Sequence, residues 1–321
     1  MKKRIRLHQL RTGMLVTELE WNGSAGTAPA LPLLISSPLD VDHLMRAQVI
    51  SVVIDTRRGA DTGGAGRYAG GFSHVQFETD LLSKFSAREV ENARQTIENT
   101  APHVRRMLSD IRMGAAIQFE GASQTVESLM AAAGQNSAAL IGLSRLKERD
   151  QVTFLHSIAV SALMIDFGRS LKLDEEAIHL LGIGGLLHDF GKMLLPRAIL
   201  NKKGTLTEAE RLLVRSHPLR GYELLKRAEN MPQTVLDICL YHHEQYDGTG
   251  YPRGLQGAGI PRPARIAAIC DVYEAMTTIR PYKRAWTQSE AIGFMLDSPG
   301  HFDPELLQNF VSRMVVGGVL A

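Results

Sequence analysis

The C-terminal half of the chain carries imidazoles and carboxylates in a sparse, ordered series: His156, His188 with Asp189, His217, His242 with His243, and Asp271. With no cysteine in the series, these nitrogen and oxygen donors suit a hard or borderline divalent ion such as iron or manganese, not a thiolate zinc site. The set reads as a dinuclear metal centre and the chain as a metallohydrolase.

The local sequence suggests how each donor is freed for this task. His188 and Asp189 close the apolar run Ile178–Leu187 and precede Phe190, Gly191 and Lys192. The glycine lets a helix stop, so both side chains project toward neighbouring helices and Asp189 can offer one oxygen to each of two metals. His217 precedes Pro218 at a helix junction, which fixes the imidazole in one direction. His242 and His243 end another helix; adjacent helical residues diverge by about 100°, so both serve one site only beyond the helix end or between two metals. Asp271 follows Ile266–Cys270 and enters from a separate helix. Any one of these histidines alone reads as an ordinary hydrogen-bonded residue, and the series together favours metal. His8, His43, His74, His103, His179 and His301 lack comparable surroundings.

The elements that must position these donors are mainly α-helical. Residues 122–321 read as an all-α bundle, with helix starts at Asp174, Thr207 with Glu210, Thr287 with Glu290, and Asp303 before Pro304. Ahead of it, residues 73–121 read as a helical connector. Ser86 and Glu89 form a capping box there, Val90, Ile97, Val104, Leu108 and Ile111 recur at near-helical spacing, and Pro102 should bend or split the helix. Residues 1–72 read as a small α/β or β-rich module. It has β-like runs at Gly13–Val16, Leu31–Ile35 and Val49–Ile54, a helix-like segment at Leu39–Ala47, and a glycine-rich loop at Gly59–Gly71 that ends it.

Composition narrows the function classes. With 36 basic and 34 acidic residues, a net charge of +2 gives no broad footprint for nucleic acid or a membrane surface. The longest apolar stretch, Leu180–Leu187, is interrupted by glycines and falls short of the ~18 residues of a membrane helix. No signal-peptide pattern follows Lys2, Lys3 and Arg4. Cys239 and Cys270 lie in apolar helical surroundings as small core residues, so a cytoplasmic location is expected.

In order, the chain contains HSIAVSAL from His156, HDFGK at 188–192, HP at 217–218, HHEQYDGTGYPRGL at 242–255, IPRPARIAAICDVYEAMTT at 260–278, RPYK at 280–283 and FDPEL at 302–306. Across roughly residues 145–310 this series resembles the HD-GYP family, a branch of the HD-domain phosphohydrolases that cleaves cyclic di-GMP. The resemblance implies metal ligation by His156, His188, Asp189, His217, His242, His243 and Asp271. Some members bind a third metal through a glutamate four residues before the first histidine; Val152 stands there, which implies two ions, iron or manganese with nickel as a further candidate. The family's usual aspartate three residues after the last ligand is Glu274. Residues 5–16 and 49–59 resemble an uncharacterised domain that often precedes HD-GYP domains, to which regulation or dimerisation is assigned.

The chemistry implied is hydrolysis of cyclic di-GMP to pGpG, GMP or both, by a metal-bridging hydroxide. Asp189 and Lys192 are the candidate catalytic residues, Lys192 as a cation for the transition-state phosphate. Arg280 and Lys283 resemble the family's phosphate-holding pair, so Lys192, Arg280 and Lys283 form the candidate substrate-binding set. The glycine-rich turn Asp247–Pro252 either braces the metal helix or contacts GGDEF-domain partners. Two alternatives accompany this reading: a phosphodiesterase for another cyclic dinucleotide such as cyclic GMP-AMP, and a non-catalytic cyclic di-GMP receptor or scaffold. The complete donor series favours catalysis.

Overall fold

The computed structural model describes residues 2–6, 10, 13–21, 30–36, 40, 44, 49–59, 84–115, 117–144, 152–202, 204–278 and 286–316. Near the N-terminus β1 (Lys2–Arg6), β2 (Leu15–Trp21), β3 (Leu33–Leu34) and β4 (Val49–Asp55) form an antiparallel sheet of order β1-β4-β2-β3. Val16, Val52 and Ile54 are buried on it with Ile5, Leu10, Met14, Ile35 and Leu44, a small apolar core of its own. Three strands correspond to the expected β-like runs, although β2 begins two residues later and continues through Trp21. The first strand is not evident in the sequence, because its Lys2 and Arg4 look like solvated charge. In the sheet they pair with Glu18 and Glu20 of β2, and only Ile5 of β1 is buried among the residues of that core. The helix-like segment 39–47, Asp40 and Leu44 apart, and the glycine-rich loop beyond Gly59 lie outside the described residues.

The rest is helical: α1 (Ala87–Arg112), α2 (Phe119–Ser144), α3 (Val152–Ser170), α4 (Glu175–Leu187), α5 (Arg197–Leu200), α6 (Glu208–Arg215), α7 (His217–Leu225), α8 (Gln233–Tyr241), α9 (Arg262–Thr277), α10 (Gln288–Leu296) and α11 (Pro304–Val316). The expected starts are present as side-chain caps. Ser86, Thr207 and Thr287 make reciprocal boxes with Glu89, Glu210 and Glu290. Asp174 caps α4, and Asp303 accepts from the amides of Glu305 and Leu306 at 3.0 and 3.1 Å.

Pro102 does not split the helix: α1 runs through it as one element. Pro102 and Glu98, whose carbonyl loses its partner, are both on the exposed side, where water can replace the missing bond. The interruption falls instead at Asn136, which leaves helical geometry inside α2 (φ −159°, ψ 96°). Its Oδ1 accepts from the Ala139 amide at 3.0 Å, capping the helix that resumes, and its Nδ2 donates to Glu89.

One continuous apolar cluster extends from Val90 of α1 to Met314 of α11, so α1 shares the core of the bundle. Helix α3 is buried on every face from Phe154 to Gly168, as a helix apolar all round must be. Two of its polar side chains tie it to neighbouring helices: Ser161 donates to the Gly182 carbonyl of α4 at 2.8 Å, and Asp166 accepts two bonds from Arg313 of α11 at 2.9 and 3.0 Å. Edge-to-face contacts of Phe310 with Phe167 and Tyr273, each at 5.1 Å, lock α11 to α3 and α9. His156 and Asp271 therefore stand on helices with almost no freedom to shift. No described helix is long and apolar enough to cross a membrane.

Candidate metal centre

Helix ends supply most of the donors. His188 closes α4, and Asp189 opens the short 3-10 turn Phe190–Leu194. Gly191 holds that turn against α7: a Cβ there would lie 2.0 Å from the His217 carbonyl oxygen and 2.7 Å from the Gly221 nitrogen. His217 begins α7 with Pro218 in its first turn. His242 closes α8, with His243 just beyond it, which resolves how two adjacent histidines serve one site. Asp271 enters from α9 and His156 from α3.

The seven donors converge as two groups, Asp189 with His217, His242 and His243, and Asp271 with His156 and His188. Asp189 faces both. Its Oδ1 is 3.1 Å from His217 Nε2 and 3.7 Å from His242 Nε2, and its Oδ2 is 3.5 Å from Nε2 of both His156 and His188. Asp271 Oδ1 lies 3.2 Å from His156 Nε2 and 3.8 Å from His188 Nε2.

The hydrogen bonds fix which atoms carry lone pairs. His217 Nδ1 donates to the Val214 carbonyl at 2.8 Å, and His242 Nδ1 to the Cys239 carbonyl at 3.0 Å. With those protons committed, the two Nε2 lone pairs face each other at 3.3 Å. Asp189 Oδ1, pointing to the same place, is buried without a hydrogen bond. Lone pairs brought this close repel unless a cation lies among them, and buried polar atoms are otherwise rarely left unpaired. The residues thus fit a bound divalent ion, and the all-nitrogen-and-oxygen donor set fits iron or manganese.

Electrostatics divide the histidines. Burial pushes His188 down to about 4 against the pull of Asp189 and Asp271. It also holds His217 low and His243 well below the usual range. Burial opposes protonation of His156 too, but Glu274, Asp189 and Asp271 outweigh it and raise the group to about 10. Asp189 and Asp271 stay well below the carboxylate range despite burial, Asp189 through Lys192 and His188, Asp271 through His156 and His188. Groups with lowered histidine pKa bind protons better unfolded, so stability falls as pH drops from about 6.5 toward 4. The His156 contribution is complete below about 6.5 and fades as pH rises toward 10. Melting temperatures of stripped protein should therefore decline on the acid side from about pH 6.5; a flat profile from 6.5 to 4.5 would contradict this electrostatic picture.

Lys192 also meets the expected site, its ammonium donating to Asp189 Oδ2. Arg280 and Lys283 lie outside the described residues. The turn Asp247–Pro252 is fastened beneath the centre. Tyr251 stacks on His243 with ring centroids 4.8 Å apart, and the Arg215 guanidinium covers Tyr251 at 4.4 Å. Buried Glu244 accepts from the amides of Arg253 and Leu255 at 2.7 and 3.0 Å. At Gly250 a Cβ would lie 2.2 Å from the Gln245 nitrogen, so only glycine lets the loop fold back this closely. Glu274, Arg215 and Glu244 carry contacts that the sequence reading did not assign. Only for Glu274 was there a signal, its position three residues after Asp271. Cys239 and Cys270 are buried and unbridged, as expected of core residues.

A buried cluster of histidines and aspartates, most of them at helix ends, inside an all-α bundle defines the class of helical proteins able to hold divalent metal. The comparisons narrow that class: residues 127–306 match the HD domain and residues 2–122 a domain of unknown function, DUF3391. The chain is 40% identical over 322 residues to a cyclic di-GMP phosphodiesterase of Pseudomonas aeruginosa, covering 98% of this chain and 77% of that protein. It is 38% identical over 159 residues to a 3′3′-cGAMP-specific phosphodiesterase of Vibrio cholerae, covering 50% of this chain and 37% of that one. In fold it is similar to an HDG"Y"P protein from Bdellovibrio bacteriovorus, with a TM-score of 0.58, 18% identity, and coverage of 98% and 99% of the two chains. The chain belongs to the HD-domain family, with an N-terminal DUF3391 domain.

Proposed function

We propose that this chain is a metal-dependent phosphodiesterase that hydrolyses cyclic di-GMP to pGpG, GMP or both. The observation that carries the reading is the convergence of His217 Nε2, His242 Nε2 and the unbonded Asp189 Oδ1 opposite His156, His188 and Asp271. His156, His188 and Asp271 would hold one divalent ion, His217, His242 and His243 a second, and Asp189 would reach both. Such ions, iron or manganese with nickel as a further candidate, supply activation of water at neutral pH and neutralisation of charge on the phosphate.

The chain's own residues then do the remaining work. The buried imidazoles, held by backbone carbonyls, keep their lone pairs fixed and need no reorganisation when the substrate arrives. Lys192, whose side chain is 29% exposed, stands at the rim beside Asp189 and supplies a cation for the phosphate as its charge grows. Arg280 and Lys283 are proposed to hold the substrate phosphates. The stack of Arg215, Tyr251 and His243 supports a bracing role for the Asp247–Pro252 turn.

Lys192→Met keeps the length of the side chain and removes the charge. It is expected to lower kcat by ~10²–10³-fold with metal content unchanged, measured by steady-state kinetics beside elemental analysis. Equal loss of metal and rate would assign Lys192 to metal retention instead.

The Vibrio cholerae relative favours a second reading, with cyclic GMP-AMP as the preferred substrate. Both are tested by incubating the iron- or manganese-loaded chain with each cyclic dinucleotide and resolving the products. A higher kcat/KM for cyclic di-GMP, with linear pGpG or GMP formed, supports the first reading, and the reverse preference supports the second. No turnover of either with iron, manganese or nickel would end both.

A further inference from the structure

The two donor groups differ in how their imidazoles are held. His188, His217 and His242 settle their Nδ1 protons on nearby carbonyls of Gly185, Val214 and Cys239. Those carbonyls are open because each histidine sits where a helix ends or begins. His156 lies within the first turns of α3, where the ladder of the helix itself occupies such acceptors. Its Nδ1 donates instead to Glu274 Oε2 of α9 at 2.5 Å. Glu274 is fully buried, and its Oε1 accepts from Thr278 Oγ1 at 2.5 Å, one turn further along the chain. The His156–His188 group thus has two carboxylates of α9, Asp271 as a direct donor and Glu274 behind an imidazole. Among the described residues, the His217–His242–His243 group has only Asp189, which both groups share. Lys192 pairs with that shared aspartate and does not cancel the difference.

We propose that Glu274 is a positioning residue that makes the half formed by His156, His188 and Asp271 the tighter of two cation sites, the one that fills first. The inference rests on the two-ion reading of the centre. A carboxylate behind a ligating imidazole fixes the ring and its tautomer and strengthens it as a donor, and its loss typically costs ~10–100-fold in metal affinity. In a water-poor interior its charge also acts on the cation at short range.

The test is a calorimetric titration of the full chain, stripped with a chelator, against Mn²⁺. Wild type should show two steps. His243→Ala, which removes a donor from the other half, should abolish the weaker step and leave the tighter one. Glu274→Gln keeps the shape and the capacity to accept from His156 but removes the charge. It should weaken the tighter step by ~10–100-fold and leave the weaker one in place, so that the two converge. Glu274→Asp should recover part of the loss. Should Glu274→Gln not hold its fold, as judged by melting of the stripped protein, Thr278→Val reads the same step by freeing the carboxylate, with a smaller loss. Two steps unchanged in Glu274→Gln, or a loss confined to the weaker step, would overturn the proposal. Binding of a single ion by wild type would overturn the two-ion reading and this inference with it.

Discussion

Asp189→Asn is expected to reduce turnover of the cyclic dinucleotide by at least ~10³-fold and to lower the metal content from about two ions per chain to one or fewer. Among the described residues, Asp189 is the carboxylate whose oxygens face both donor groups, Oδ1 toward His217 and His242 and Oδ2 toward His156 and His188. Asparagine retains the size and one carbonyl oxygen but loses the charge and replaces the other oxygen with an amide that cannot ligate. The fold should survive. The Asp189–Lys192 pair is buried at one end only, so Lys192, 29% exposed, can turn to solvent and is not left as a buried unpaired charge. The stripped forms of the two proteins should therefore melt within a few degrees of each other. Kinetics together with elemental analysis check this. A variant that keeps two ions and its rate would show that Asp189 is not the shared ligand.

Metal removal should have the next largest effect. A chelator is expected to abolish turnover and lower the melting temperature, and returning iron or manganese should restore both. An ion present at 100 times its dissociation constant stabilises the folded chain by ~2.7 kcal/mol. Two ions together come to roughly 5 kcal/mol, or on the order of 10–20 °C for a domain of this size. The physical source is the convergence of donor atoms: the Nε2 lone pairs of His217 and His242 face each other at 3.3 Å, and Nε2 of His156 lies 3.3 Å from that of His188. Differential scanning calorimetry with and without metal reads the shift directly. Full turnover and an unchanged transition in the chelator would contradict the reading of these contacts.

What the sequence discloses follows the range of the interaction concerned. The caps at Ser86, Thr207 and Thr287 are legible because both partners lie within one turn. His188–Asp189 and His242–His243 are legible as helix-end donors because the apolar runs before them stop there. The metal series is legible as a set, and its arrangement into two groups around Asp189 is not, since that depends on how α3, α4, α7, α8 and α9 cross. The role of Glu274 is hidden for the same reason: its partner His156 is 118 residues away. Pro102 reads as a break because sequence alone does not show which side of α1 faces water. Asn136 does not read as one, because alanines lie on both sides of it and its anchor Glu89 is 47 residues away on another helix. β1 escapes notice because its lysine and arginine find their carboxylates on β2, beyond the intervening strand β4.

Two cations gathered around one aspartate are what anomalous diffraction from crystals of the manganese- or iron-loaded chain tests most directly. Two peaks are predicted, one at coordination distance, ~2.0–2.2 Å, from Nε2 of His156 and His188 and from Asp271. The other should lie among His217, His242 and His243, with one oxygen of Asp189 directed at each. A single peak, or peaks that leave Asp189 outside the coordination of either ion, would contradict it.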